Sequence, residues 1–423
     1  MTQALQTSPP ATPENLVDSS AAWLRLGAAF CMSTIGTAGM WLPPVVLPTL
    51  QEEFGASRSG ASLPYTATMV GVAVGTLMMG RLVDRVGIFR LLLAAALSTG
   101  AGFAIAGSAT TLWQFSLAQG TFIAMLGVAV TFAPLVADLS LWFKRYRGMA
   151  VAICASGNYM AGMLWPPIVQ QLNEAFGWRS TYLGIAVASV AVMLPLAFLF
   201  RRPPPLHEEP PPAVAGSPDD HARPLGFPPN VLQVLIVLAG ISCCIAMSMP
   251  QVHIVAYCAD LGYGAARGAE MLSVMLGLGL VSRLASGWIA DRIGALATLI
   301  LGSGLQAVAL ALFLPFNGLA SLYVISGLFG LVQGGIVPCY ALLVREYFPA
   351  REAGVRIGFA ITSTLVGMAL GGWLTGVIFD LTGSYRAAFV HGIAWNGLNL
   401  AIAGWLLLRS RAMGGLAFSL PRR

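Results

Sequence analysis

Charge is what this sequence lacks most. Only 9% of its 423 residues are charged, against about 25% in soluble domains, while 57% are apolar and the mean hydropathy is +0.76. A typical soluble enzyme is excluded, and a bilayer-embedded chain is expected. Lys144 is the sole lysine. The six cysteines (Cys31, Cys154, Cys243, Cys244, Cys258, Cys339) lie in or beside apolar runs with no CxxC pair, which argues against a disulfide framework or a metal site. No G-x-x-x-x-G-K-[ST] loop and no nucleophile–base pair occur, so neither ATP, nor another cofactor, nor enzymatic chemistry is expected. The net charge of +6 reflects 23 basic and 17 acidic residues; in a membrane protein that excess reads as cytoplasmic loops, not as nucleic-acid binding.

What the chain has in quantity is long apolar runs. Twelve can be drawn, near 24–50, 62–82, 89–108, 112–138, 148–172, 179–200, 231–258, 267–290, 295–315, 319–343, 355–379 and 387–408, each long enough to span hydrocarbon as a helix. The expected fold is therefore all-α, with twelve transmembrane helices in two six-helix bundles. Its parts are a disordered tail (1–20), a first bundle (21–200), a proline-rich linker (201–229), a second bundle (230–410) and a terminal tail (411–423). Residues 1–20 lack the basic start and apolar core of a cleaved signal. Eighteen basic residues fall on one side of this layout, and only Arg58, Arg179, Arg267 and Arg386 on the other. The positive-inside rule then puts both termini in the cytoplasm of a multi-pass plasma (inner) membrane protein.

The two halves repeat each other. GRLVDRVG at Gly80–Gly87 returns as GWIADRIG at Gly287–Gly294, a shift of 207 residues that also carries Gly120 onto Gly327 and Arg179 onto Arg386. Parallel repeats of this kind imply a transporter with its site between the halves near the midplane. The paired G-x-x-x-D-R-x-G segments resemble the signature of the major facilitator superfamily. In that resemblance Gly80, Asp84, Arg85, Gly87, Gly287, Asp291, Arg292 and Gly294 form a gating motif, with the glycines permitting tight turns and the carboxylate capping a neighbouring helix. A narrower resemblance lies at WFKRYRGMAVAICASG (Trp142–Gly157), which is similar to the fifth-span pattern of the monocarboxylate porter branch shared with oxalate–formate exchangers. Phe143, Arg145, Arg147, Ala150, Ser156 and Gly157 fit that pattern, while Tyr146, Ala152 and Cys154 depart from it. The branch's acidic-Gly-x-aromatic signature is missing before the first span.

Arg283 is the sharpest site candidate. It stands eight residues before Asp291 in the eighth span, hence about 12 Å from the cytoplasmic end, where an arginine is costly unless it meets a cavity or a partner. Its fork matches a carboxylate bidentately. The bland reading is snorkelling, or a structural pair with Asp291 or Asp138. R-x-x-x-G-x-x-x-D (Arg283, Gly287, Asp291) resembles the monocarboxylate branch, where this arginine binds the substrate carboxylate. The eleventh span has no lysine where similar oxalate exchangers carry a second cation, so a small organic monoanion is expected over a dicarboxylate. The proton-relay lysine and aspartate of animal porters are also absent. His253 and Asp138 are then the coupling candidates, by protons or by exchange, with Asp138 alternatively pairing with Arg145 or Arg147. Tyr65, Asn158, Tyr159, Tyr257, Gln333 and Tyr340 are possible cavity groups; His253, Tyr257, Asn158 and Gln333 join Arg283 as the expected substrate contacts. The competing function is a drug or metabolite exporter of the same superfamily. The protein is expected to act as a monomer.

Overall fold

The computed structural model describes residues 17–204 and 224–412. Most of the two expected tails and of the linker lie outside the described residues. Among those described, twelve helical rods match the twelve apolar runs: α1 Ser20–Glu53, α2 Arg58–Val86, α3 Ile88–Gly107, α4 Leu112–Trp142, α5 Arg147–Phe176, α6 Trp178–Phe200, α7 Pro229–Asp260, α8 Ala265–Ile293, α9 Ala295–Leu312, α10 Leu319–Tyr347, α11 Ala350–Thr382 and α12 Tyr385–Ala412. Ten are long and apolar enough to cross a membrane on composition alone. The exceptions are α5, which carries Asn158, Pro166, Pro167 and Gln170, and α12, which carries His391, Asn396 and Asn399. Large apolar side chains such as Val187 and Leu381 lie exposed on the periphery, as a lipid-facing surface requires.

Two turns mark one end of the molecule, here the motif end. Gly87 (φ 83°) ends α2 and Gly294 (φ 83°) ends α8, a backbone that only glycine adopts freely. Gly80 and Gly287 are corrected by the structure: both are inside helices, not in turns, and Asp84, Arg85, Asp291 and Arg292 occupy the last helical turns. At the opposite end, here the far end, Gly55 (φ 57°) and Gly262 (φ 81°) are again 207 residues apart.

Several rods are broken where the sequence puts proline or glycine. The first parts into Ser20–Gly36 and Ala38–Glu53, α4 contains a π-helical stretch at Gln119–Val128, and α10 parts into Leu319–Gln333 and Ile336–Tyr347. A proline removes the N–H that would bond the carbonyl four residues back, and in a membrane that carbonyl must find another donor. Pro43 frees Gly39, whose carbonyl takes the Gln119 amide of α4. Pro167 frees Met163, which takes the Ser273 hydroxyl of α8. Pro338 frees Gly334, which takes the Tyr159 hydroxyl of α5 at 3.4 Å. The last two bonds cross between the halves.

Within each half, small residues bring backbones together. A side chain at Gly71 of α2 would collide with the Gly120 carbonyl of α4, and one at Gly330 or Gly334 of α10 with the Met275 or Gly279 carbonyl of α8. We expect Gly71→Val to lower stability by about 1–3 kcal/mol through overpacking, read as a lower thermal unfolding temperature in detergent. Gly304→Ala, inside α9 where the new methyl meets open space, should not lower it, since alanine favours the helix over glycine.

Candidate functional site

Arg283 stands half-buried on α8 and lines a cavity of about 230 Å³ at the seam of the halves. The walls come from α5 (Val151, Ala152, Ala155) and α10 (Gly335, Pro338, Leu342). Its guanidinium carbon lies 5.5 Å from the ring centre of Tyr159, within cation–π range. That ring has room because Gly279, one turn earlier, has no side chain. Among the described residues no carboxylate reaches ion-pair distance of Arg283. Asp291 is exposed near the helix end, and Asp138 is engaged elsewhere. The site thus presents one guanidinium without a counter-anion, among apolar walls and beside an aromatic face.

Two of the other predicted contacts lie on the elements around this cavity. Asn158 precedes Tyr159 on α5, and its Oδ1 accepts the Trp41 indole N–H at 3.0 Å. Gln333 precedes Gly334, which packs on the backbone at Arg283. It is fully buried and accepts from Gln251 Nε2 at 2.6 Å, leaving its own amide nitrogen without a partner. Trp41 and Gln251 are members of this polar layer that the sequence reading passed over. A glutamine next to Pro250 and a tryptophan two residues before Pro43, each inside an apolar run, were the available signal. Tyr65 adds a buried hydroxyl without a partner.

The structure does not bring His253 and Tyr257 to the Arg283 cavity. His253 Nε2 donates to the Gly372 carbonyl at 2.8 Å, and Nδ1 faces the Tyr385 hydroxyl at 3.3 Å. Tyr257 packs edge-on against Tyr385 and Phe389 and lines a separate cavity at the far end. Tyr340 bonds Asn399 at 2.9 Å, a packing bond between α10 and α12. For Asp138 the expected partners Arg145 and Arg147 are replaced by Arg25, whose Nε and Nη2 meet its two oxygens at 2.7 and 2.8 Å. Both side chains are at most 5% exposed. Arg25 also donates to the carbonyls of Leu199 and Arg202 and lies 4.5 Å from the rings of Trp142 and Phe200, so the pair ties α1, α4 and α6 together.

The motif residues Asp84, Arg85, Asp291 and Arg292 are exposed. Arg292 folds back over Trp288 of its own helix, and no hydrogen bond is seen from Asp84 to a neighbouring helix among the described residues. The far end is tied shut. Arg58 of α2 is 5% exposed and directs Nη2 to both oxygens of Asp260 at 2.9 and 2.8 Å. Asp380 of α11 accepts the backbone N–H groups of Arg58 and Ser59 at 2.8 and 2.9 Å, capping α2 from the other half.

Among the described residues, twelve helices in two sets of six, a polar layer at the seam and one end closed by bonds between the halves define a transporter fold. The Major Facilitator Superfamily model matches residues 29–355 and, in a second match, 271–416. Monocarboxylate transporter 13 of Bos taurus is 30% identical over 325 residues, covering 76% of this chain and 71% of that protein. The MFS transporter asaE of Aspergillus flavus is 25% identical over 404 residues, covering 93% and 87%. Among solved structures, a bacterial homolog of the human lysosomal transporter Spinster, inward-facing and unoccupied, is similar with a TM-score of 0.71 at 13% identity, covering 96% of this chain and all of that one. The chain belongs to the major facilitator superfamily, within its monocarboxylate transporter branch.

Removing Asp138 strands a buried guanidinium, so Asp138→Ala should cost about 3–5 kcal/mol. Replacing both partners by apolar residues (Arg25→Met with Asp138→Leu) should recover most of the loss in thermal unfolding.

Proposed function

We propose that the protein is a secondary carrier that moves a small organic monoanion, a monocarboxylate, by alternating access, with Arg283 holding the carboxylate. The observation that carries this reading is the unpaired guanidinium in an apolar-walled cavity at the seam. A buried cation is costly without a partner, and a bidentate carboxylate with a short apolar body supplies both the charge and the contact surface. Asn158, Tyr159 and Gln333, on the elements around the cavity, are polar groups available to orient the remainder of the solute. The relatives named monocarboxylate transporters support the same class.

The motif end is the cytoplasmic side of the plasma (inner) membrane, following the basic-residue bias, and both termini are cytoplasmic. In this reading the exposed motif residues and the closed far end describe an inward-facing carrier. The parallel halves are joined by the linker 201–229 and work as a monomer. Among the described residues no carboxylate or imidazole lines the Arg283 cavity, Asp138 is held by Arg25, and His253 is bonded at both ring nitrogens. Anion exchange is therefore favoured over proton symport. An exporter of drugs or metabolites is the alternative within the superfamily.

The test is uptake into proteoliposomes of lactate, pyruvate, formate, glycolate, oxalate and a cationic dye. The parent should take up monocarboxylates, faster when the vesicles are preloaded with anion and with little response to a proton gradient. Arg283→Gln should lower uptake by about tenfold or more, the size of a charge-assisted pair, and Arg283→Lys should fall between. Normal anion uptake by Arg283→Gln, or movement of the dye alone, would overturn the reading in favour of the exporter.

A further inference from the structure

Four residues at the far end recur after 207 positions: Glu53 with Asp260, Gly55 with Gly262, Trp178 with Tyr385, and Arg179 with Arg386. The halves use them differently. In the first half the ion pair stays at home. Arg179 Nη2 meets Glu53 Oε1 at 2.6 Å, the Trp178 indole donates to the other oxygen, and Arg179 also donates to the carbonyls of Gly107 and Ala109. In the second half the equivalent carboxylate has left home. Asp260 accepts both bonds from Arg58 of the first half, and Arg386 is exposed with no carboxylate at ion-pair distance among the described residues. Asp260 and Arg386 nonetheless line one cavity of about 430 Å³, together with Tyr257, Asn317 and Tyr385.

We propose that Asp260 is a latch with two seats: Arg58 when the far end is closed, and Arg386 when it opens. Glu53 on Arg179 shows the home geometry that the repeat builds for this carboxylate. The exchange has a physical purpose. Opening the far end by breaking Arg58–Asp260 alone would give up a bidentate ion pair with nothing in exchange. With Arg386 waiting in the same cavity, one ion pair is traded for another, and the two conformations stay close enough in free energy to interconvert. Arg58, released from its slot against the rings of Phe379 and Tyr385, is hydrated as the halves part. The inference does not depend on which solute is carried.

A reporter of far-end opening is Ser62→Cys, one turn below Arg58 on α2 and fully buried in the closed state. Full-length protein in right-side-out proteoliposomes is treated with a membrane-impermeant maleimide, and the same protein without the reporter gives the background of native thiols. Arg386→Gln should slow labelling by about threefold or more, because the open state loses its seat. Arg58→Gln should speed it, and Arg386→Lys should match the parent. Arg386 is exposed, so Arg386→Gln should leave thermal stability unchanged, which separates a latch from a merely structural role. Should the Ser62 reporter not fold, Thr66→Cys one turn deeper reads the same opening. Labelling of Arg386→Gln at the parental rate, or faster, overturns the proposal.

Discussion

The constraint on which the rest of this structure depends is that a carbonyl in hydrocarbon cannot go unbonded. Prolines inside the rods create such carbonyls at fixed places, and three of them are answered from another helix: Gly39 by Gln119, Met163 by Ser273, Gly334 by Tyr159. What looks like damage to regular helices is the wiring of the bundle. Two of these bonds join the halves, and one falls beside Arg283, the proposed carboxylate anchor. Tyr159 serves twice, its hydroxyl on the freed carbonyl and its ring beneath the Arg283 guanidinium.

Three arginines show how the same group is used in three ways. Arg25 is neutralised inside one half and fixes its helices, while Arg58 is neutralised across the halves and closes one end. Arg283 is left without an acid at the seam. The first two explain why the acids that could have quenched the third are not available to it. Asp138 and Asp260 are both committed, and Asp291 is exposed near the end of α8.

Composition and hydropathy made the twelve rods and the internal repeat legible, because crossing a bilayer imposes a run length and because both halves keep the same turn glycines. Arg283 was legible for the same reason, since a charge in an apolar run has few excuses. Azimuth was not. A membrane helix is apolar toward lipid and toward its neighbours alike, so the sequence could not say that His253 and Tyr257 turn to the far end, nor that Asp138 meets Arg25 across 113 positions. The motif glycines divided along the same line. Gly87 and Gly294 had to be turns because of their backbone geometry, whereas Gly80 and Gly287 are helical and their spacing alone could not reveal it.

The glycine contacts between α2 and α4 and between α8 and α10 carry a mechanical meaning. Where a single methyl would collide with a facing carbonyl, two rods are too close to slide past each other's side chains, so each such pair travels as one plank. In the proposed cycle the compliance must sit at the broken rods and at the seam, which acts as a fulcrum. Arg283 stands beside that fulcrum and therefore sweeps a short arc in this cycle. A solute held there would scarcely travel while the doorway changes sides around it.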